Sequence, residues 1–185
     1  MASPATGWCT WRTPGAGSSR PRTRPRLLGL KATLGPEGEP LVNGRPWDSP
    51  EVGAAIRGAA GGDARLVRYD GIERFDVHPL LVGTDGAIEW MGVDRRRFRP
   101  NILIAGVEGL AERDWPGRRL KVGEVVIALE NLRRRCVMTT FDPDTLAQDV
   151  SVLRRINAEL AGTLALDCTV VRSGRIAVGD PVEVF

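Results

Sequence analysis

The amino-acid sequence predicts a mainly β fold of the α+β class, a β-barrel with one or two flanking helices. Three observations carry that expectation. Short apolar segments recur at close spacing with turn signals between them, the pattern of barrels rather than bundles. Helical spacing is confined to a few short stretches. The segments Leu120-Lys121-Val122-Gly123-Glu124 and Ile176-Ala177-Val178-Gly179-Asp180 also echo each other as strand, Val-Gly-acid turn, strand, although two good tight turns give the same likeness.

Residues 1–24 read as irregular. They are rich in Pro, Gly, Ser, Thr and Arg without periodicity, and such composition buries too little apolar surface to order itself. Trp8 and Trp11 are unusual in that setting. From Leu27 to Trp47 short apolar pieces alternate with turns at Gly35-Pro36, Glu37-Gly38 and Asn43-Gly44, the last being the strongest hairpin signal. Ser49 reads as the N-cap of a helix running to about Ala60, with Pro50 in its first position and Gly61-Gly62 ending it. Arg65 to Tyr69 reads as a strand.

Pro79–Thr84 reads as a strand, with Thr84 or Asp85 capping a helical turn through Trp90. A charged loop, Asp94 to Pro100, leads into a strand at Asn101–Ala105. Arg118–Leu120 and Glu124–Leu129 form a hairpin around Val122-Gly123. Cys136–Thr140 is expected as a β-branched strand closed by the turn Asp142-Pro143-Asp144. Over 149–161, Val150, Leu153, Ile156 and Leu160 fall on one helical face. Leu164–Val171 and Arg175–Phe185 finish as strands joined at Ser173-Gly174.

The chain has 185 residues, 42% hydrophobic and 26% charged, which suits a domain with a real core. Its net charge of +3 is unevenly placed. Five arginines and no acid lie within residues 1–26, so the other 21 basic residues face 23 acidic ones, a balance of −2. Bulk charge therefore argues against a nucleic-acid partner. No apolar run reaches the roughly 18 to 20 residues that span a bilayer, which argues against a membrane partner. The first residues lack the apolar stretch of a secretory signal, so a cytoplasmic location is expected. Three cysteines (Cys9, Cys136, Cys168) make no Cys-x-x-Cys pattern, and His78 is the single histidine. A metal held here must rely on sulfur, oxygen or a non-protein ligand.

Two arginine runs stand out, Arg95-Arg96-Arg97-Phe98-Arg99 and Arg133-Arg134-Arg135. Each precedes an expected strand, so both could line one barrel rim suited to phosphate or carboxylate ligands. Two solvated loops would read the same way. Cys136 follows the second run directly. Adjacent positive charge favours the thiolate, the form that binds metals or attacks sulfur, so Cys136 ranks first among the cysteines. Cys168, within Leu166-Asp167-Cys168-Thr169-Val170, reads as structural. His78, Trp90 and Trp115 read as packing residues, and Asp142 with Asp144 as turn residues.

Several of these segments, in order, resemble the MOSC domain family, the module of molybdenum-cofactor sulfurases and amidoxime-reducing components. The resemblance rests on Arg97-Phe98-Arg99-Pro100-Asn101, Asp114-Trp115, Leu120 to Glu124, Arg135-Cys136-Val137-Met138-Thr139-Thr140-Phe141-Asp142-Pro143, Leu153-Arg154 and Val178-Gly179-Asp180-Pro181. It implies a MOSC-type β-barrel over 75–185, a partial MOSC-associated β region over 25–74, and a molybdenum cofactor (a molybdenum pterin). It implies that Cys136 is the catalytic thiolate ligand to the metal. It further implies that Arg99 and Asn101 contact the pterin, Arg99 at its phosphate, with Arg134, Arg135 and Asp167 also near the cofactor. Many relatives carry Ser where Arg134 stands, which alters that contact. The Tyr-Pro-x-Lys segment that opens the amidoxime-reducing relatives has no counterpart here. Pyridoxal phosphate enters through the family description alone, since neither Lys31 nor Lys121 is set for a Schiff base.

The resemblance implies a small oxidoreductase of N-oxygenated compounds, with a small-molecule substrate and an electron-transfer protein partner. Alternatives are a sulfur carrier with a persulfide on Cys136, a non-catalytic module binding an anionic partner such as RNA, and a truncated inactive relative.

Overall fold

The computed structural model describes residues 9–12, 21–68 and 77–185. The irregular character expected for residues 1–8 and 13–20, the end of the strand expected at Tyr69, and the start of the main domain expected at residue 75 lie outside them. The described residues fall into two compact units, one within Met1–Arg74 together with Pro143–Ala147, the other within Phe75–Asp142 and Gln148–Phe185.

The first unit holds β1 (Cys9–Arg12), β2 (Ala32–Leu34), β3 (Pro40–Val42), β4 (Arg45–Pro46), α1 (Pro50–Ala60) and β5 (Arg65–Arg68). β2, β3 and β4 form an antiparallel meander, and β1 pairs antiparallel with β5. The Asn-Gly signal works as expected. Val42 pairs with Arg45 across Asn43 and Gly44, both at positive φ (52° and 74°), the conformation a two-residue hairpin turn demands. α1 begins where Ser49 Oγ accepts a hydrogen bond from the Val52 amide and ends at Gly61, φ 79°. Val52, Ile56 and Ala60, four residues apart, bury one stripe against Leu27, Val42 and Ala64.

The second unit holds β6 (Leu80–Thr84), α2 (Asp85–Met91), β7 (Ile102–Ile104), β8 (Arg119–Val122), β9 (Val125–Arg134), α3 (Val150–Glu159), β10 (Thr163–Arg172) and β11 (Val182–Val184). Its strands form a nearly closed, barrel-like mixed sheet in the order β11-β8-β9-β10-β6-β7. Only β6 and β7 run parallel, joined by α2, the crossover that parallel pairing requires. The mainly β class with two flanking helices is thus the architecture of this unit. Val82, Leu120, Ile127, Leu129, Leu166 and Cys168 fill the sheet core. A second core forms where Phe98 and Met91 meet Val152, Ile156, Leu160 and Leu164.

Four expectations need correction. Cys9–Arg12, inside the stretch expected to be irregular, is a strand paired with β5. The Cys136–Thr140 segment is not a strand. β9 itself runs on through Arg134, and Cys136 then starts a single turn of 3-10 helix, Val137–Thr140. The threonine hydroxyls turn back on the chain instead of supporting a ladder: Thr139 Oγ1 donates to the Cys136 carbonyl at 3.0 Å and Thr140 Oγ1 to the Val137 carbonyl at 2.7 Å. In α3 the inward stripe is Val152, Ile156 and Leu160, while Val150 is 44% exposed. Asp149 caps the helix through the Ser151 amide, which places Val150 in the first turn, turned to solvent. Within 175–185 only Val182–Val184 is strand. The preceding residues are held in a turn by Ala177 and Asp180, with Gly179 at φ 96°.

Candidate functional site

The Arg97-to-Asn101 segment is a short loop whose residues each reach a different anchor. Arg97 spans two of them: Nη1 donates to the Thr140 carbonyl at 2.8 Å and Nη2 to Asp142 Oδ2 at 3.2 Å. It thereby ties this loop to the turn that follows Cys136. Phe98 is buried in the helical core, and its carbonyl accepts from Arg135 Nη2 at 2.6 Å. The Arg135 guanidinium carbon also stands 5.8 Å from the centre of the Phe98 ring. Arg99 adopts φ 58°, a conformation that disfavours a side chain with a Cβ and that tightly anchored neighbours on both sides maintain. Asn101 closes the loop against β6: its amide donates to the Leu81 carbonyl and its Oδ1 accepts from the Leu81 amide, both at 2.8 Å.

The end of β9 supplies the other side. Alternation along a strand sends neighbours to opposite faces. Arg133 accordingly meets Asp167 on β10, with Nη1 3.1 Å from Oδ1 and 3.5 Å from Oδ2. Arg134 is exposed, and Arg135 turns inward to Phe98. The backbone amide of Arg135 still donates to the Gly162 carbonyl at 2.9 Å, so its direction is set by the sheet. Bulges in the β9–β10 pairing, one at Ala165 with φ 67°, re-aim this end of β10.

These anchors bring Arg99, Arg133, Arg135, Cys136 and Asp167 together. Arg135 registers all four of the others: burial first, then the cations of Arg133 and Arg99, push its guanidinium down to about 10, against the opposing pull of Cys136 and Asp167. It remains charged at neutral pH. Its Nε is buried with no hydrogen-bond partner, a donor left over in an otherwise anchored side chain. Cys136 is a free, half-buried thiol. Its carbonyl accepts from the Thr139 amide at 3.1 Å as well as from the Thr139 hydroxyl, which holds the backbone and leaves the sulfur to other work.

Of the site residues expected from the sequence, Arg99, Arg135, Cys136 and Asp167 lie in this cluster. Asn101 instead joins the loop to β6 beside Leu81, the strand partner of Asp167. Arg134 is exposed. Arg133, which the sequence marks only as part of its arginine run, is the residue that meets Asp167, and period-2 alternation along a longer β9 was the signal for it.

Among the described residues no group of three or more His, Cys, Asp and Glu side chains could hold a metal. A metal at Cys136 must therefore bring its remaining ligands with it. The guanidiniums of Arg99, Arg133 and Arg135 near Cys136, with an orphaned buried donor on Arg135, suit the anionic part of such a group. The residues present fit a metal-bearing anionic cofactor.

Residues 83–183 match the family model of the MOSC domain, more than half of the chain. Mitochondrial amidoxime reducing component 2 of Homo sapiens is 28% identical over 126 residues, 58% of this chain and 37% of that protein. Mitochondrial amidoxime-reducing component 1 of Mus musculus is 34% identical over 86 residues, 43% of this chain and 25% of that protein. The match thus spans well under half the length of these relatives. YiiM from Geobacillus stearothermophilus aligns at a TM-score of 0.47 with 13% identity, over 84% of this chain and 71% of its own. The YUAD protein from Bacillus subtilis aligns at 0.44 with 18% identity, over 62% and 67%. Because the family match runs from the end of β6 into β11 and takes in the whole loop-and-thiol cluster, the protein belongs to the MOSC domain family.

Proposed function

We propose that this protein binds a molybdenum cofactor with Cys136 as thiolate ligand, and acts as a small oxidoreductase of N-oxygenated compounds. The observation that carries the reading is the convergence of one half-buried thiol with Arg99, Arg133 and Arg135, the last with a buried donor unspent. The amidoxime-reducing names of the relatives support the substrate class.

When bound, the cofactor supplies two-electron exchange at its metal, chemistry that no side chain here offers. The chain's own residues bind and orient. The 3-10 turn presents the Cys136 sulfur from a backbone held by Thr139. Arg97 joins that turn to the loop bearing Arg99, so thiol and guanidinium keep one spacing. Arg135, pinned by the Phe98 carbonyl, offers its Nε to an anion. The small-molecule substrate and an electron-transfer protein partner belong to this proposal, as does a cytoplasmic location. Among the described residues no helix is long and apolar enough to cross a membrane, and the relatives are named mitochondrial.

A sulfur-carrier reading uses the same thiol as a persulfide. Molybdenum and pterin content separates the two. The protein purified from a cofactor-producing host is expected to carry near-stoichiometric metal, and a Cys136→Ala variant of equal thermal stability very little. Equal, negligible metal in both proteins overturns the cofactor reading, and cyanide-labile sulfur on Cys136 in that case selects the carrier.

A further inference from the structure

The second unit holds a cavity of about 330 Å³ at the end of its sheet where β9 begins. Val125 and Ile127 line it as buried core residues, and Leu80 and Ile102 as half-buried ones packed against that core. Val170 and Ile176 stand at its rim, 46% and 42% exposed. The segment after β10 makes one wall. A Cβ on Gly174 would stand 2.9 Å from Val125 Cγ2, closer than a side chain tolerates, so glycine permits this approach. None of the lining residues is charged, and Asn101 and Ser173 are the polar ones. The Leu81 amide fixes Asn101 Oδ1, which leaves Nδ2 a donor of set direction with no protein partner among the described residues. Ile127 precedes Cys136 by nine residues of nearly extended chain. At about 3.3 Å per residue, that sets this part of the cavity on the order of 30 Å along the chain from the thiol.

We propose that this cavity binds a small neutral molecule with an aliphatic body and one hydrogen-bond acceptor, such as a medium-chain ketone. Its volume falls at the lower end of the roughly 300–1,000 Å³ of ligand pockets, which recur at the mouths of β-barrels. Water filling it meets aliphatic walls and few polar partners, so an apolar body that displaces the water gains free energy. Asn101 Nδ2 and the Ser173 hydroxyl offer a single acceptor its hydrogen bonds. A carboxylate would lose hydration there without a cation to pair with, which selects against anions. The site thus differs in chemistry from the arginine-lined thiol, and it stands whether or not a cofactor binds at Cys136.

Octan-2-one is the probe, titrated into the full chain by calorimetry and by thermal shift. Octanoate, of the same carbon count but charged, is the comparison. The ketone is expected to bind saturably at one site, and octanoate about tenfold more weakly or worse. Ile176→Asp sets a carboxylate in the rim, and Val170→Phe fills it. Each is expected to weaken ketone binding by about tenfold, yet to melt without probe near the wild-type temperature, because both positions are partly exposed. Cys136→Ala is expected to bind the ketone as tightly as wild type. Octan-2-one that fails to saturate wild type, octanoate that binds equally well, or binding kept by both rim variants overturns the proposal. Loss of ketone binding in well-folded Cys136→Ala does so too, by placing the ketone at the thiol. So does a wild-type dimer that the ketone leaves intact and Ile176→Asp dissociates, since the rim is then a contact between copies.

Discussion

Cys168 and Cys136 are the same side chain in two regions of one sheet unit. Cys168 sits mid-strand in β10, fully buried among Val82, Leu129 and Leu166, its sulfur reaching the Leu166 carbonyl at 3.4 Å and accepting from the backbone of Val82. Burial pushes its thiol up to about 12, so it stays protonated and behaves as a small apolar residue. Cys136 sits just past the end of β9, half-buried, in a turn lined by guanidiniums. Asp167 and Cys168 are adjacent on β10, yet one faces the arginines and the other the core. Strand alternation keeps the charged chemistry one residue away from the packing that supports it. The core side fixes where β9 and β10 run, and the opposite side collects what those strands carry.

The largest test of that division is Leu166→Ala, at a fully buried position in the core around Cys168. Chemical denaturation should show a loss of about 2 to 5 kcal/mol, while metal per folded molecule stays at the wild-type level. Loss of metal from well-folded Leu166→Ala would break the division.

Exchanging cysteine for serine sharpens it. Cys168→Ser places a hydroxyl in the core and should cost about 1 to 3 kcal/mol with metal content unchanged. Cys136→Ser should leave stability within about 0.5 kcal/mol and remove the metal. The reverse assignment of losses would refute the comparison.

The smallest effect concerns Glu112, a carboxyl enclosed as completely as Cys168. Burial raises its pKa above 4.5, while its Oε2 accepts from Thr84 Oγ1 at 3.2 Å and its Oε1 has no partner. A carboxyl with a raised folded-state pKa favours the protonated fold. Its contribution is therefore fully present below 4.5, the unfolded value, and is lost as pH rises through the folded value. The melting temperature of wild type should fall relative to Glu112→Gln between about pH 4.5 and neutrality. Parallel curves for the two proteins would show that Glu112 ionises freely in the fold.

Local chemistry was legible wherever a single residue's conformation decides the outcome. Asn43-Gly44, the Ser49 cap and the Thr84 cap appear in the structure where the sequence places them, because positive φ and a capping oxygen are properties of one or two residues. The family motifs likewise marked the segments that form the cluster. Less legible was the threonine pair after Cys136, since β-branched residues favour strands and also bond back within tight turns. Only the neighbouring anchors, Arg97 on the Thr140 carbonyl and Gln148 Nε2 on Thr140 Oγ1, select the turn. The face of α3 was misjudged for a related reason: several periodic stripes fit its apolar residues, and the facing core of Phe98 and Leu164 chooses among them.

By itself, then, the sequence determined the mainly β class and the hairpin and helix starts, and it marked the loop, the thiol and the two arginine runs as candidates. Those follow from backbone preferences and side-chain chemistry carried by short segments. The tertiary structure alone decided that Arg133 rather than Arg134 joins the cluster, that Asp167 pairs with it, and that Asn101 spends its amide on β6. Each depends on strand length and cross-strand register, which the bulged pairing of β9 with β10 sets through contacts more than 30 residues apart.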